Sequence, residues 1–197
     1  MCGRFTLKAL PDELERRFGI RIALGSYKLK NNIAPSEMIP VIPTGDPSEF
    51  VWMRWGIRPG WWSGSKVGII NVRSESLRTK QVFNRMFNEQ RCIIPADGFY
   101  EWRNEGGKKV PYLITKNQQL FAFAGVWERD REGLSVAIIT CEPNMPVRKI
   151  HYRMPCILDT ISESTWLNEG TTQEGLLNLL KPMSDNLTTV NQCKVLL

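Results

Sequence analysis

The segment L-F-A-F-A-G-V-W-E-R-D-R-E-G-L-S-V-A-I-I-T-C, residues 120–141, decides the fold class of this 197-residue chain. It holds two apolar runs, at 120–127 and 134–141, and a polar connection from Asp130 to Gly133. Apolar runs of this length, bounded by Asp and Gly, predict two β-strands that are joined as a hairpin.

Further short apolar runs lie on both sides of this hairpin and predict more strands, at 38–42, 50–57, 110–115 and 154–158. Gly106-Gly107 marks a second hairpin turn. Helical spacing predicts a helix that begins at Pro11 and ends at Gly19, and others over 75–89, 162–167 and 173–180. Because strands and helices do not alternate, we predict one α+β domain over residues 1–197, mostly sheet with short flanking helices.

Composition narrows the class of protein. The chain has 26 Lys and Arg against 20 Asp and Glu, a net charge of +6. This excess indicates either an acidic partner such as nucleic acid or an ordinary solubility charge. Five cysteines without a C-x-x-C pair, and one histidine, argue against a zinc site and favour a reducing compartment. With no signal peptide and no membrane-spanning stretch, we expect a cytoplasmic protein.

Cys2 is a candidate nucleophile if Met1 is removed, as is common when the second residue is small. A terminal cysteine carries an α-amine of pKa about 8 and a thiol of pKa about 8.5, so both groups react near neutrality. The amine condenses with an aldehyde to a Schiff base, and the thiol then closes a thiazolidine ring. The alternative is that Cys2 merely follows the start codon.

Two further residues are candidates for proton transfer. Glu101, in G-F-Y-E-W at 98–102, is either a solvated surface group or a cleft carboxyl whose raised pKa suits general acid–base work. His151 is either a proton-transfer group or a packing residue, and Lys149 and Arg153 would lower its pKa if they lie close.

Two segments have the composition of a nucleic-acid contact. In N-V-R-S-E at 71–75, every second residue is Asn71, Arg73 or Glu75. In an extended segment these three share one face, which could orient a sugar and a phosphate. Alternatively, the segment is a turn that leads into a helix with Ser74 as N-cap. Aromatic and cationic residues interleave between positions 52 and 62, which suits either single-stranded nucleic acid or a core strand. These residues are Trp52, Arg54, Trp55, Arg58, Trp61 and Trp62.

Taken together, six segments resemble the SRAP (SOS response-associated peptidase) family in the family's order and over nearly the whole chain. They are M-C-G-R at 1–4, N-I-A-P-S at 32–36, R-W-G-I at 54–57, N-V-R-S-E at 71–75, R-C-I-I-P-A-D-G-F-Y-E-W at 91–102 and H-Y-R-M-P at 151–155. Asn31 and Arg58 depart from the residues that the family often has, and both flank the expected DNA surface.

The resemblance implies a β-rich α+β domain with mixed twisted sheets and a barrel-like core, which senses abasic sites in single-stranded DNA. The Cys2 amine would attack C1′ of the abasic sugar, and the Cys2 thiol would close a thiazolidine that shields the lesion. Glu101 would shuttle protons, Asn71 would hold the N-terminus and the sugar, and His151 would assist ring opening and release of the crosslink. Lyase and self-reversal activities follow from the same chemistry.

The resemblance also implies a DNA-binding surface. Arg4, Arg73 and Arg153 would clamp phosphates, Trp55 and the loop at Pro35 would stack on or wedge apart bases, and Thr140 would make a polar contact. Asn32, Ser36 and Gly56 complete this expected surface. We expect a monomer without cofactor, metal or membrane contact, acting on single strands or single-strand/duplex junctions, in the nucleoid if the host is bacterial.

Two other functions compete with crosslinking. Cys2, His151 and Asn71 could form a thiol peptidase whose self-cleavage is limited to residues ahead of Cys2. Alternatively, the tryptophan and arginine cluster could form a non-covalent single-strand binding module, for which Cys2 would be dispensable.

Overall fold

The computed structural model describes residues 2–23, 27–45, 48–130 and 132–193, and its α+β class agrees with the prediction. The strands are β1 (Arg4–Leu7), β2 (Lys30–Ile33), β3 (Met38–Pro43), β4 (Val51–Trp55), β5 (Asn71–Arg73), β6 (Arg91–Ala96), β7 (Gly98–Glu105), β8 (Lys108–Lys116), β9 (Phe121–Asp130), β10 (Gly133–Cys141), β11 (Met154–Pro155), β12 (Ile157–Leu158) and β13 (Thr188–Gln192). The helices are α1 (Pro11–Phe18), α2 (Ser76–Thr79), α3 (Gln81–Glu89), α4 (Met145–Arg148), α5 (Thr160–Leu167) and α6 (Gln173–Leu179).

The helices begin and end where local chemistry dictates. Helix α1 has Pro11 in its first turn, and Gly19 ends it in a left-handed conformation with φ 68°, as predicted. The predicted helix over 75–89 is two helices, because Lys80 between them is extended (φ −103°, ψ 116°). None of the helices in the described residues is long and apolar enough to cross a membrane.

The predicted hairpin of residues 120–141 contributes two of the five strands of a closed ring. Strands β9 and β10 pair antiparallel, and the ring continues through β4, β3 and β6 back to β9. In this ring only β10 and β4 run parallel. Residues 121–126 of β9 and 135–141 of β10 are buried without alternation, so both faces of these strands are covered, which explains why they are apolar over most of their length.

A second, wholly antiparallel sheet has the strand order β13-β8-β7-β1-β2. Phe5 in β1 joins it to the ring, because its aromatic ring lies edge-on to those of Trp55 (5.2 Å) and Phe123 (5.7 Å). Such edge-to-face aromatic contacts contribute about 0.5–1.5 kcal/mol each beyond burial.

Short strands beside β10 bring distant residues of the chain together. Strand β5 runs parallel to β10 and places Arg73 beside Thr140, while β11 runs antiparallel and places Pro155 beside Thr140. The predicted strand over 154–158 is therefore two strands with different partners, since β12 pairs with β9 instead. The end of β10 becomes a meeting point for three segments.

A buried arginine joins the helices to the ring. The Arg91 side chain is 1% exposed, and its guanidinium donates to four backbone carbonyls, those of Phe87, Asn88, Trp166 and Asn168. These carbonyls lie at the C-terminal ends of α3 and α5, where backbone C=O groups have no N–H partner within the helix.

We predict that Arg91→Leu lowers the free energy of unfolding by about 2–4 kcal/mol, because it strands several buried carbonyls. Urea denaturation measures this change. The control Arg85→Leu removes a mostly exposed arginine that pairs with Glu128, and it should cost about 1 kcal/mol or less. Equal losses for both variants would contradict the assigned role of Arg91.

Candidate active site

Cys2 is fully buried, and a side chain from β5 holds its backbone. Asn71 Nδ2 donates to the Cys2 carbonyl oxygen at 2.8 Å, and Cys2 Sγ lies 3.7 Å from the Arg4 carbonyl oxygen. Burial raises the pKa of the Cys2 thiol well above its usual value, and the nearby Glu101 charge raises it further. The thiol is therefore protonated at neutral pH.

Glu101 lies on β7 with only 2% of its surface exposed. Burial raises the pKa of its carboxyl from 4.5 to about 7. A carboxyl with this pKa gives and accepts protons at neutral pH, as a general acid–base group must. Of the two orientations that the sequence allowed, the structure shows the buried one.

His151 is the partner that faces Glu101. Its Nδ1 lies 3.8 Å from Glu101 Oε1, and both the backbone N–H (3.0 Å) and the carbonyl oxygen (3.1 Å) of Arg153 lie within hydrogen-bond distance of the same Nδ1. Burial lowers the pKa of His151. Burial thus favours the neutral imidazole, which carries a proton on one ring nitrogen and accepts a hydrogen bond at the other. Glu101 and His151, 50 residues apart in sequence, thus face each other in one site.

Arg153 is buried and engaged by protein groups. Its two terminal nitrogens bind both Glu75 carboxylate oxygens at 2.7 and 2.9 Å, and Nη2 also donates to the Thr140 carbonyl oxygen at 2.6 Å. This arrangement gives Arg153 and Thr140 a positioning role at the end of β10. Direct contact of either residue with DNA stays a prediction. The Glu75 partner was missed because 78 residues separate it from Arg153.

The other predicted DNA contacts lie around this centre in different settings. Arg4 is half-buried and donates to Asn32 Oδ1 at 3.0 Å, whereas Arg73 is exposed. The loop of Pro35 and Ser36 precedes β3, and Ser36 has a left-handed backbone with φ 73°. Among these residues, Arg73 and Ser36 are exposed, whereas Arg4, Asn32 and Pro35 are half-buried.

The prediction that Trp55 stacks on bases is wrong. Trp55 is fully buried, its ring lies against Phe5, and its Nε1 donates to the Ile70 carbonyl oxygen at 3.0 Å. This bond fixes the backbone of Ile70, the residue that precedes Asn71. Gly56 is buried too, and its φ of 127° and a Cβ position 2.0 Å from the Val67 carbonyl oxygen explain why glycine is needed.

Most of the predicted tryptophan and arginine cluster is therefore not an open surface. Arg54 pairs with Asp130 and Arg58 with Glu132, while Trp61 is 62% exposed. A groove of about 420 Å³ runs past the candidate site beside this tryptophan. Its lining residues include Trp61, Trp62, Asn71, Arg73 and Lys80. Lys80 also lines this groove. The sequence did not predict this cation as a site residue, because the pattern over 75–89 indicated one continuous helix with Lys80 inside it.

Comparison with known proteins decides the family. The model of the SOS response associated peptidase (SRAP) family matches residues 1–195. The chain belongs to the SRAP family. The resemblance seen in the sequence motifs is thereby confirmed.

Relatives in the SRAP family share much of their length with this chain. YoaM of Bacillus subtilis, named an abasic site processing protein, is 40% identical over 195 residues, which cover 92% of this chain and 86% of YoaM. YedK of Escherichia coli carries the same description and is 30% identical over 184 residues, covering 86% and 80%. HMCES of Xenopus tropicalis, also described so, is 28% identical over 242 residues, covering 95% and 72%.

Solved structures share the SRAP fold seen here. A crystal structure of a Bacteroides thetaiotaomicron protein superposes with a TM-score of 0.88 at 25% identity, covering 98% of this chain and 92% of that one. A Bordetella bronchiseptica protein gives a TM-score of 0.85 at 24% identity, covering 98% and 100%. The barrel-like α+β class expected from the family is confirmed.

We predict that Glu101→Gln stabilises the protein most at alkaline pH. Because the pKa of Glu101 is 4.5 when exposed and about 7 in the fold, the folded protein loses stability relative to the unfolded chain as pH rises through this window. Glutamine does not ionise, so the free energy of unfolding of the variant does not fall in this way. Its excess over that of the unmodified protein should grow from pH 4.5 to 7 by up to about 3 kcal/mol and then stay constant.

Urea denaturation at pH 5 and pH 8 measures this difference. Glu75→Gln is the control: the Arg153 guanidinium lowers the pKa of the Glu75 carboxyl, so this group is ionised at both pH values and the stability difference should stay constant. A constant difference between Glu101→Gln and the unmodified protein across this range would contradict the assigned pKa.

Proposed function

We propose that this protein captures abasic sites in single-stranded DNA by a covalent bond to Cys2. The observation that carries the proposal is the position of Cys2, which Asn71 holds by its carbonyl beside a buried carboxyl of pKa about 7. The relatives' description as abasic site processing proteins supports the same substrate class.

The chemistry begins once Met1 has been removed and the Cys2 amine is free. An abasic deoxyribose in its open form exposes an aldehyde at C1′, which the amine attacks to give a carbinolamine. Glu101 protonates the carbinolamine hydroxyl, which leaves as water, and a C=N bond forms. The Cys2 sulfur then adds to C1′ of the protonated Schiff base while the thiol proton passes to the Glu101 carboxylate, and the thiazolidine closes without an oxidant or reductant.

Glu101 and His151 have complementary tasks in this sequence. A protonated Glu101 supplies the proton for loss of water, and its carboxylate then receives one as the ring closes. His151, a neutral imidazole that can donate at one ring nitrogen and accept at the other, is suited to opening the closed sugar. Because each proton transfer is reversible, we infer that the same pair drives self-reversal, and that the Schiff base permits strand cleavage by a lyase step.

DNA binding follows from the charges around the site. Arg73 and Lys80 place cations along the groove, where phosphates of a single strand would run. Arg4, whose backbone carbonyl lies 3.7 Å from Cys2 Sγ, adds a half-buried cation near Cys2. The Asn71 Oδ1 atom is buried and has no hydrogen-bond partner among the described residues. We assign it to the Cys2 amine or a sugar hydroxyl. We further propose that residues 1–197 act as one monomeric SRAP domain, in the cytoplasm.

The state of the Cys2 thiol favours capture over thiol peptidase chemistry. A cysteine peptidase needs a thiolate, which a lowered pKa or an adjacent basic histidine provides. Here burial raises the pKa of the thiol, and burial lowers that of His151. In capture the amine makes the first bond, so a neutral thiol is no obstacle.

We predict that the processed protein and a single-stranded oligonucleotide with one abasic site form an adduct that survives denaturing electrophoresis. Cys2→Ala keeps the amine but loses the thiol, so its adduct should be transient and should persist only when borohydride reduces the Schiff base. Cys193→Ala removes a half-exposed cysteine and serves as the control with unchanged yield. A stable adduct of Cys2→Ala without borohydride would rule out the thiazolidine.

A further inference from the structure

Tyr152 is an exposed aromatic residue that lies directly against the proton-transfer pair. Its ring stacks on the His151 ring with centroids 4.4 Å apart and an interplanar angle of 27°. Tyr152 is 63% exposed, whereas the His151 side chain is only 15% exposed. Tyr152 therefore covers one face of the imidazole while most of its own ring remains open to solvent.

This ring is close to the reacting atoms. His151 Nδ1 lies 3.8 Å from Glu101 Oε1, so a single imidazole separates Tyr152 from the carboxyl assigned to proton transfer. A DNA strand whose abasic sugar sits at Cys2 must carry its neighbouring nucleotides away over the surface next to this centre. An abasic site has lost its own base, so the neighbouring bases are the nearest groups available for stacking.

The segment before Tyr152 has a hydrogen-bonded backbone and exposed cationic side chains. Asn144 caps α4 by accepting from the Val147 N–H at 3.1 Å, and the Ile150 and His151 N–H groups both donate to the Val147 carbonyl oxygen, at 2.8 and 2.9 Å. Arg148 and Lys149 on this segment are exposed, and the described residues include no ion pair to either. An aromatic ring beside uncompensated cations matches the composition of single-strand binding surfaces.

We propose that Tyr152 is the stacking platform for a nucleobase next to the abasic position, with Arg148 and Lys149 contacting the adjoining phosphates. The proposal rests on the proposed function, since it assumes an abasic strand at Cys2. Stacking would serve two purposes. It would fix the register of the strand so that C1′ meets Cys2, and it would press Tyr152 onto His151 and close the site to water. The protein would then bind more tightly where that neighbouring base is a purine, which offers the larger stacking face.

The test uses oligonucleotides with a central tetrahydrofuran residue, which mimics the abasic sugar but has no aldehyde to crosslink. One probe has adenine on both sides, and two others replace the 5′ or the 3′ adenine by a second tetrahydrofuran. Fluorescence anisotropy should show that Tyr152→Ala weakens binding to the adenine-flanked probe at least about fivefold. The loss should vanish with one of the two other probes, because the stacked base is then already missing.

Matched variants separate stacking from a structural effect. Tyr152→Phe keeps the ring and should bind like the unmodified protein, whereas Tyr152→Leu keeps apolar bulk without a ring and should behave like Tyr152→Ala. Ile161→Ala removes an exposed residue of α5 that is 81% exposed, and should change nothing. An equal loss on all three probes, or no loss on any, would overturn the proposal. If the unmodified protein neither binds these probes nor crosslinks a true abasic site, the proposed function itself fails.

Discussion

The hydrogen bond from Asn71 Nδ2 to the Cys2 carbonyl is the constraint on which the rest of the site depends. Cys2 precedes the first strand, at a point where a chain is ordinarily mobile unless something ties it down. Asn71 can hold Cys2 because its own backbone is fixed. Its strand β5 pairs with β10, a strand of the closed ring, and Trp55 Nε1 donates to the carbonyl oxygen of the preceding residue, Ile70. The buried aromatic ring of Trp55 thus helps to fix the position of Cys2 through two hydrogen bonds, one to Ile70 and one from Asn71.

The second constraint is electrostatic. A carboxyl, an imidazole and a thiol share a site from which water is largely excluded, and burial shifts each pKa toward the neutral form. The protein accepts a cost in stability to bury these groups, which the hydrophobic core must offset. In return, Glu101 holds a proton that it can release near neutrality, and the proposed Schiff-base formation and ring closure require a group with this property.

Local chemistry made part of the fold predictable. The hairpin of residues 120–141, helix α1 with Pro11 and Gly19, and the turn at Gly106-Gly107 follow from neighbouring residues alone. The parallel pairing of β4 with β10 and the Arg153–Glu75 ion pair depend on segments about 80 residues apart, which no local pattern specifies. Trp55 was misassigned because a motif indicates that a residue matters, whereas only the folded core shows that its ring packs inward.

The measurement that tests the account most directly is peptide mapping of the adduct with an abasic single strand. After intact mass has shown one protein joined to one strand, digestion should release a modified peptide that begins at Cys2, with Met1 absent and the sugar attached at the terminal residue. Attachment at a lysine, or at a peptide that retains Met1, would contradict capture by the Cys2 amine.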